Sequence, residues 1–161
     1  MMKIDECEEI NNVLFAGIGG QGIIRASDLL AEAAFRRGFD VKKSELHGMS
    51  QRGGSVSSDV RFGKKVWSPM IPAGEADYLL ALSEDQIEVC ERMLSPNAIV
   101  IKPSDFSAED AASRMLNMVM LGRLNRYLNF PDELWETLIR ESFQGELADA
   151  NIAAFQRGKN P

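Results

Sequence analysis

Sulfur and imidazole are scarce in this sequence. Cys7 and Cys90 are its only cysteines and His47 its only histidine, one donor short of the four thiolate or imidazole ligands that a structural zinc or an iron–sulfur cluster needs. Any cluster in the functional unit would therefore belong to another chain. The two widely separated thiols read as small buried or surface groups of a reducing compartment. Basic residues are also in deficit: 18 Lys and Arg against 24 Asp and Glu leave a net charge of −6, which supplies no general cationic footprint for nucleic acid. No apolar run approaches the ~18 residues of a membrane span. The N-terminal stretch, with Asp5, Glu8 and Glu9, lacks the basic start of a secretory signal. The reading is a cytoplasmic protein with neither nucleic acid nor membrane as partner.

What is present suffices for one core. At 161 residues and 45% apolar composition the chain reads as a single domain, residues 1–161, without linker or internal repeat. Val13–Ala16 is a short apolar run breaking into a glycine cluster, as a buried strand ends in a tight loop. Ile23, Ile24, Ala26, Leu29, Leu30, Ala33 and Ala34 then recur at helical spacing, and Gly38 supplies a left-handed stop. Val41–Ser44 reads as a second strand, Ser44–Ser58 as a loop. Val56, Val60 and Phe62 fall on one face at period two, and Phe62-Gly63-Lys64-Lys65 predicts a hairpin turn leading back through Val66 and Trp67. Tyr78–Leu82 and Ala98–Ile101 are further strands. Ser83 with Gln86 predicts a capping box for a helix reaching about Leu94. Ser107 with Asp110 predicts the start of a helix through Met115, Met118, Leu121 and Leu124. Pro131 opens another helix, and a last one runs from about Glu146 to a stop at Gly158. Alternating strands and helices predict an α/β fold: a three-layer α/β/α Rossmann-like domain with a mostly parallel sheet plus an antiparallel hairpin, its crevice at the carboxyl ends of the strands.

Two segments carry chemistry. Gly17-Ile18-Gly19-Gly20-Gln21-Gly22 satisfies G-x-G-x-x-G between strand and helix, where glycines permit close backbone approach and the helix amides suit a phosphate or other anion. The spacing alone leaves nucleotide binding and a glycine turn needed only for packing or a protein contact equally open. For a dinucleotide, Glu45 is the nearest acid that could reach a ribose. The second segment, Ser44–Ser55, places His47, Gln51 and Arg52 beside Gly53, Gly54 and Ser55. Arg52 offers a planar fork for carboxylate or phosphate, and the glycines allow close approach; a self-satisfied polar loop is the plainer alternative. No carboxylate or nucleophile is identifiable beside His47, so no catalytic residue is assigned. Met115, Met118 and Met120 read as packing, and Trp67 is a candidate contact residue. The lysine pairs 42–43 and 64–65 read as solvated surface.

GIGGQG at Gly17–Gly22, SELHGMSQRGGSV at Ser44–Val56, Trp67-Ser68-Pro69 and Gly74-Glu75-Ala76-Asp77 together resemble the β subunit of indolepyruvate:ferredoxin oxidoreductases, within the γ-type subunits and domains of pyruvate, ketoisovalerate and other 2-oxoacid:ferredoxin oxidoreductases. The likeness is ordered from Asn12 to about Ile101 and looser in Asn117–Gly122 and the closing helices. After Ile101 the chain departs from the pattern: a strand and loop are shortened to Lys102–Asp110, which makes this a compact variant.

The resemblance implies an accessory subunit of an enzyme that turns a 2-oxoacid, coenzyme A and oxidised ferredoxin into acyl-coenzyme A, carbon dioxide and reduced ferredoxin. Thiamine diphosphate and iron–sulfur clusters would sit on a larger catalytic partner, with no cofactor on this chain. Ferredoxin would be met through the complex, and the isolated chain would be inactive, with homodimerisation a plausible state. The residues implicated are Gly17, Gly19, Gly20, Gln21, Gly22, His47, Gln51, Arg52, Gly53, Gly54 and Ser55. They would face an anionic group, a coenzyme A phosphate or a partner carboxylate. The rival readings are an independent NAD- or FAD-binding protein and a stand-alone paralogue without the partner.

Overall fold

The computed structural model describes residues 9–48 and 54–160. Along the chain run β1 (Asn11–Ile18), α1 (Ile23–Arg36), β2 (Asp40–His47), β3 (Ser55–Gly63), β4 (Ala76–Ala81), α2 (Asp85–Cys90), β5 (Leu94–Ile101), α3 (Ala108–Ala111), α4 (Leu116–Leu128), α5 (Asp132–Ser142) and α6 (Gly145–Lys159). The sheet order is β2-β3-β1-β4-β5. β1 pairs parallel with β4, and β4 with β5, whereas β3 runs antiparallel to both β1 and β2. Four strands therefore point one way and β3 the other, a mixed sheet with helices on both faces.

Alternation along the strands divides the core in two. Val13, Phe15, Val56, Val60, Phe62 and Leu80 face α1 and α4–α6, and their cluster includes Trp135 and Phe155. Phe39 meets Phe62 edge-on with ring centroids 5.3 Å apart, and Trp135 lies 5.1 Å from Phe155. The opposite cluster, Leu14, Ala16, Ile71, Ala76, Leu79, Ala81 and Cys90, is small and is packed by Ile87, Met93, Leu94 and Val100. One face is thus thickly covered and the other thinly.

Helix α1 buries the predicted apolar stripe, and Gly38, at φ 91°, ends it with the Phe39 amide donating to the Ala34 carbonyl at 3.2 Å. Five local expectations are corrected. The turn at Phe62–Lys65 makes no hairpin: the chain leaves the sheet after Gly63, and the Val66 amide donates to the Asp40 carboxylate at 2.8 Å. The hairpin is β2–β3, since β2 continues to His47 and β3 starts at Ser55, so the predicted Ser44–Ser58 loop is far shorter. Ser83 forms no capping box, because its hydroxyl donates to the Asp85 carboxylate at 2.6 Å, and α2 ends at Cys90 in a 3-10 turn. Ser107 does cap its helix, accepting from the Asp110 amide at 3.1 Å, but that helix stops at Ala111 and α4 begins anew at Leu116. Gly158 is no stop either. It lies within α6, where a Cβ would come within 1.8 Å of the Val119 carbonyl oxygen, so its role is close helix crossing.

Candidate functional site

Because β1, β2 and β4 end on the same edge where β3 begins, the two sequence motifs meet there. The register aligns His47, Val56 and Gly17 in one row across β2, β3 and β1. The Gly19 amide donates to the Gly54 carbonyl at 3.0 Å, and the Gly48 amide to the Ser55 carbonyl at 2.6 Å. The structure thereby brings Gly17–Gly22 together with His47, Gly54 and Ser55. Gln51, Arg52 and Gly53 lie outside the described residues.

Each loop position has a local cause. A Cβ on Gly17 would lie 2.6 Å from the Ile23 side chain and 2.7 Å from Gln21 Oε1. Gly20 and Gly22 take positive φ, 94° and 78°, a region that costs other residues. Gln21 is a strap: its Oε1 accepts from the Ile18 amide at 2.8 Å and its Nε2 donates to the Leu82 carbonyl at 3.3 Å, tying the ends of β1 and β4. Asn117 of α4 buttresses Gly22 by donating to its carbonyl at 3.2 Å. Sequence reasoning gave Asn117 no role; its only signal is an amide inside an otherwise apolar helix start.

No side chain caps α1, so its first-turn amides border a recess of about 400 Å³ lined by Gly19, Gly20, Gly22, Arg25 and His47. Amides and helix dipole there favour an anion. Arg25 stands at the rim but is engaged, donating to the Ser142 carbonyl at 3.2 Å and lying over the Phe143 ring at 4.9 Å. His47 is exposed, with Nε2 3.7 Å from Glu45.

The dinucleotide geometry is missing. In that arrangement the second strand neighbours the first, but here β3 intervenes, so Glu45 stands two strands from β1, about 9–10 Å at ~4.8 Å per strand. Glu45 is also bonded to Lys43, which together with His47 holds its carboxyl below the usual range. Among the described residues no three His, Cys, Asp or Glu side chains converge on a metal position, and burial, followed by the neighbouring Asp59, pushes the Cys90 thiol up, away from the thiolate a cluster requires. No described helix is long and apolar enough to cross a membrane.

A mixed five-stranded sheet with a glycine loop at its strand ends defines a small α/β domain. The profile of the family described as pyruvate ferredoxin/flavodoxin oxidoreductase matches residues 12–107 and 104–160, and the chain belongs to that family. It is 34% identical to indolepyruvate oxidoreductase subunit IorB of Methanothermobacter thermautotrophicus over 91% of this chain and 95% of the relative. It is 32% identical to IorB of Thermococcus kodakarensis, over 91% and 93%. The fold matches the crystal structure of pyruvate oxidoreductase subunit PORC from Thermotoga maritima with a TM-score of 0.76 at 23% identity, covering 94% of this chain and 96% of that one. It also matches, with a TM-score of 0.80 at 22% identity, 31% of a chain of the 2-oxoglutarate:ferredoxin oxidoreductase of Magnetococcus marinus, a structure with 2-oxoglutarate, coenzyme A and succinyl-CoA bound; 94% of this chain is covered. The expected family and fold are thus found, and the homologues are small subunits of 2-oxoacid oxidoreductases.

Proposed function

We propose that this chain is the small accessory subunit of an indolepyruvate-type 2-oxoacid:ferredoxin oxidoreductase, making acyl-coenzyme A and carbon dioxide while reducing ferredoxin. The observation that carries it is the 34% identity to an indolepyruvate oxidoreductase subunit along nearly the whole of both chains. Electron carriers and thiamine diphosphate belong, in this reading, to a larger catalytic subunit on which this chain docks; its two cysteines and single histidine support that assignment. The glycine loop, the start of α1 and the His47–Ser55 segment hold an anionic group, a coenzyme A phosphate or a carboxylate of the partner. The Gly19–Gly54 hydrogen bond that joins both segments around one recess supports this. We read the domain as a compact variant, a reading supported by an alignment with the relative that spans 188 positions where this chain has 161 residues.

Co-expression with the larger subunit tests the reading. The expected product is a brown complex that oxidises indolepyruvate only with coenzyme A and ferredoxin present, while the chain alone is colourless and inactive. Turnover by the isolated chain with a redox group of its own, or failure to form the complex, refutes the reading.

A further inference from the structure

The segment between β3 and β4 departs from the rest of the surface. Trp67 is 84% exposed and Met70 65% exposed, flanked by exposed Ser68, Pro69 and Pro72. Large side chains that water reaches so fully are a cost unless something covers them. Yet the backbone presenting them is firmly held. Arg61, only 7% exposed, donates from Nη1 to the carbonyls of Ser68 (2.8 Å) and Met70 (3.2 Å) and from Nε to Asn12 Oδ1 at 2.8 Å. Asp40 takes the Val66 amide, Asp59 takes the Ile71 amide at 2.9 Å, and the side chains of Val66 and Ile71 are buried on either side of the exposed stretch. Side chains of β1, β2 and β3 therefore lock the loop, while Trp67 and Met70 are left outside.

That combination has a physical use. A contact residue on a pre-ordered backbone loses little conformational entropy on association, and tryptophan is enriched among residues that dominate interfaces. The local charge limits the partner. From Gly63 to Gly74 the chain carries Lys64 and Lys65 and no acid, against −6 for the whole molecule; Lys65 is paired with Asp40 at 3.9 Å, which leaves Lys64 as the cation open to a partner. The Lys65 ammonium lies 4.8 Å from the Trp67 ring centroid, so cation and aromatic face are presented together. Met70 also lines a groove of about 570 Å³ on the thinly covered sheet face, as do Leu46 and Val89, so the patch continues into apolar surface.

We infer that Trp67 and Met70 are the anchor by which this chain docks on its larger catalytic subunit, in an apolar pocket of that subunit rimmed by carboxylates that meet Lys64. This rests on the accessory-subunit reading and deepens it by naming the contact. The apolar and cationic chemistry is that of a stable protein interface rather than of a small-molecule site.

The test uses the two chains co-expressed. Oxidative footprinting by mass spectrometry modifies Trp67 and Met70 in the free chain and spares them in the complex. Trp67→Ala with Met70→Ala weakens the complex at least roughly 30-fold, the lower bound of a hot-spot truncation. Both residues are exposed, so the thermal melt of the free chain stays unchanged. Lys64→Glu weakens association at low salt, and its effect fades as salt rises. Unchanged affinity in the double variant, or continued oxidation of both residues in the wild-type complex, overturns the anchor while leaving the accessory-subunit reading intact. A wild-type chain that never binds the larger subunit overturns both. Protection that appears only with ferredoxin or only on self-association also overturns the anchor.

Discussion

Asp59 shows how one residue serves two neighbours at some cost. Its carboxylate accepts the Ile71 amide and so helps lock the Trp67 loop, yet it is half-buried. Burial raises its carboxyl above the ordinary range, against the opposing pull of that amide and of Arg61. A carboxyl raised on folding binds its proton more tightly in the native state. It favours folding below the unfolded value of about 3.9, and this contribution is lost as pH rises through the higher folded value. Asp59→Asn keeps an acceptor for Ile71 and removes the charge. The melting temperature at pH 7 is expected to rise and the gain to vanish as pH falls below the unfolded carboxylate range; a loss at pH 7 in circular-dichroism melts would reverse this sign. At the same scale, Gln21 was legible as part of the glycine motif, but its role was not. Motif spacing describes the backbone path, whereas the amide's partner, the Leu82 carbonyl, is 61 residues away in the chain.

Helix packing supplies the next scale. α4 and α6 cross so closely that Gly122 and Gly158 are each wedged against backbone: an added Cβ would stand 1.9 Å from the Phe155 carbonyl oxygen in one case and 1.8 Å from the Val119 oxygen in the other. Helix propensity alone predicts that Gly→Ala stabilises by about 1 kcal/mol. The crossing predicts the reverse, because backbone cannot rotate aside like a flexible side chain. Gly158→Ala should lose stability at or beyond the top of the ~1–3 kcal/mol overpacking range, read as a lower urea midpoint with an unchanged slope. A gain would show that the helices stand further apart. The same contrast explains which elements could be read in advance. α1 was legible because its apolar period, its following glycine and its burial agree. The Lys64-Lys65 turn misled because a Gly-Lys turn beside an alternating strand predicts a hairpin wherever a partner strand follows. Here the Val66 amide is taken by Asp40 of β2 instead. The continuous helix after Ser107 misled for a related reason, since the cap residue is correct but Ser113 ends the first segment by accepting from the Leu116 and Met115 amides at 3.2 and 3.0 Å.

For the whole molecule, the decisive asymmetry is between the two sheet faces, one built over by four helices and one left thin beside an exposed apolar and cationic loop. If a larger subunit covers part of this surface, it binds only the folded chain and stabilises it, by about 2.7 kcal/mol at a free concentration a hundred times its dissociation constant. Amide exchange in β1 and β4 should then slow about a hundredfold in the complex where exchange requires global unfolding, while millimolar NAD leaves it unchanged. Slowing by NAD would instead favour the dinucleotide reading that the strand order argues against. The sequence by itself determined the family, the mixed α/β class and the two glycine-rich motifs, because these depend on residue types at short spacings. Tertiary structure alone decided that the motifs share one recess, that β3 separates β2 from β1, and that Arg61 fixes the backbone at Ser68 and Met70 beside an exposed Trp67. Those facts depend on strand order and on hydrogen bonds between residues far apart in the chain, which local spacing does not encode.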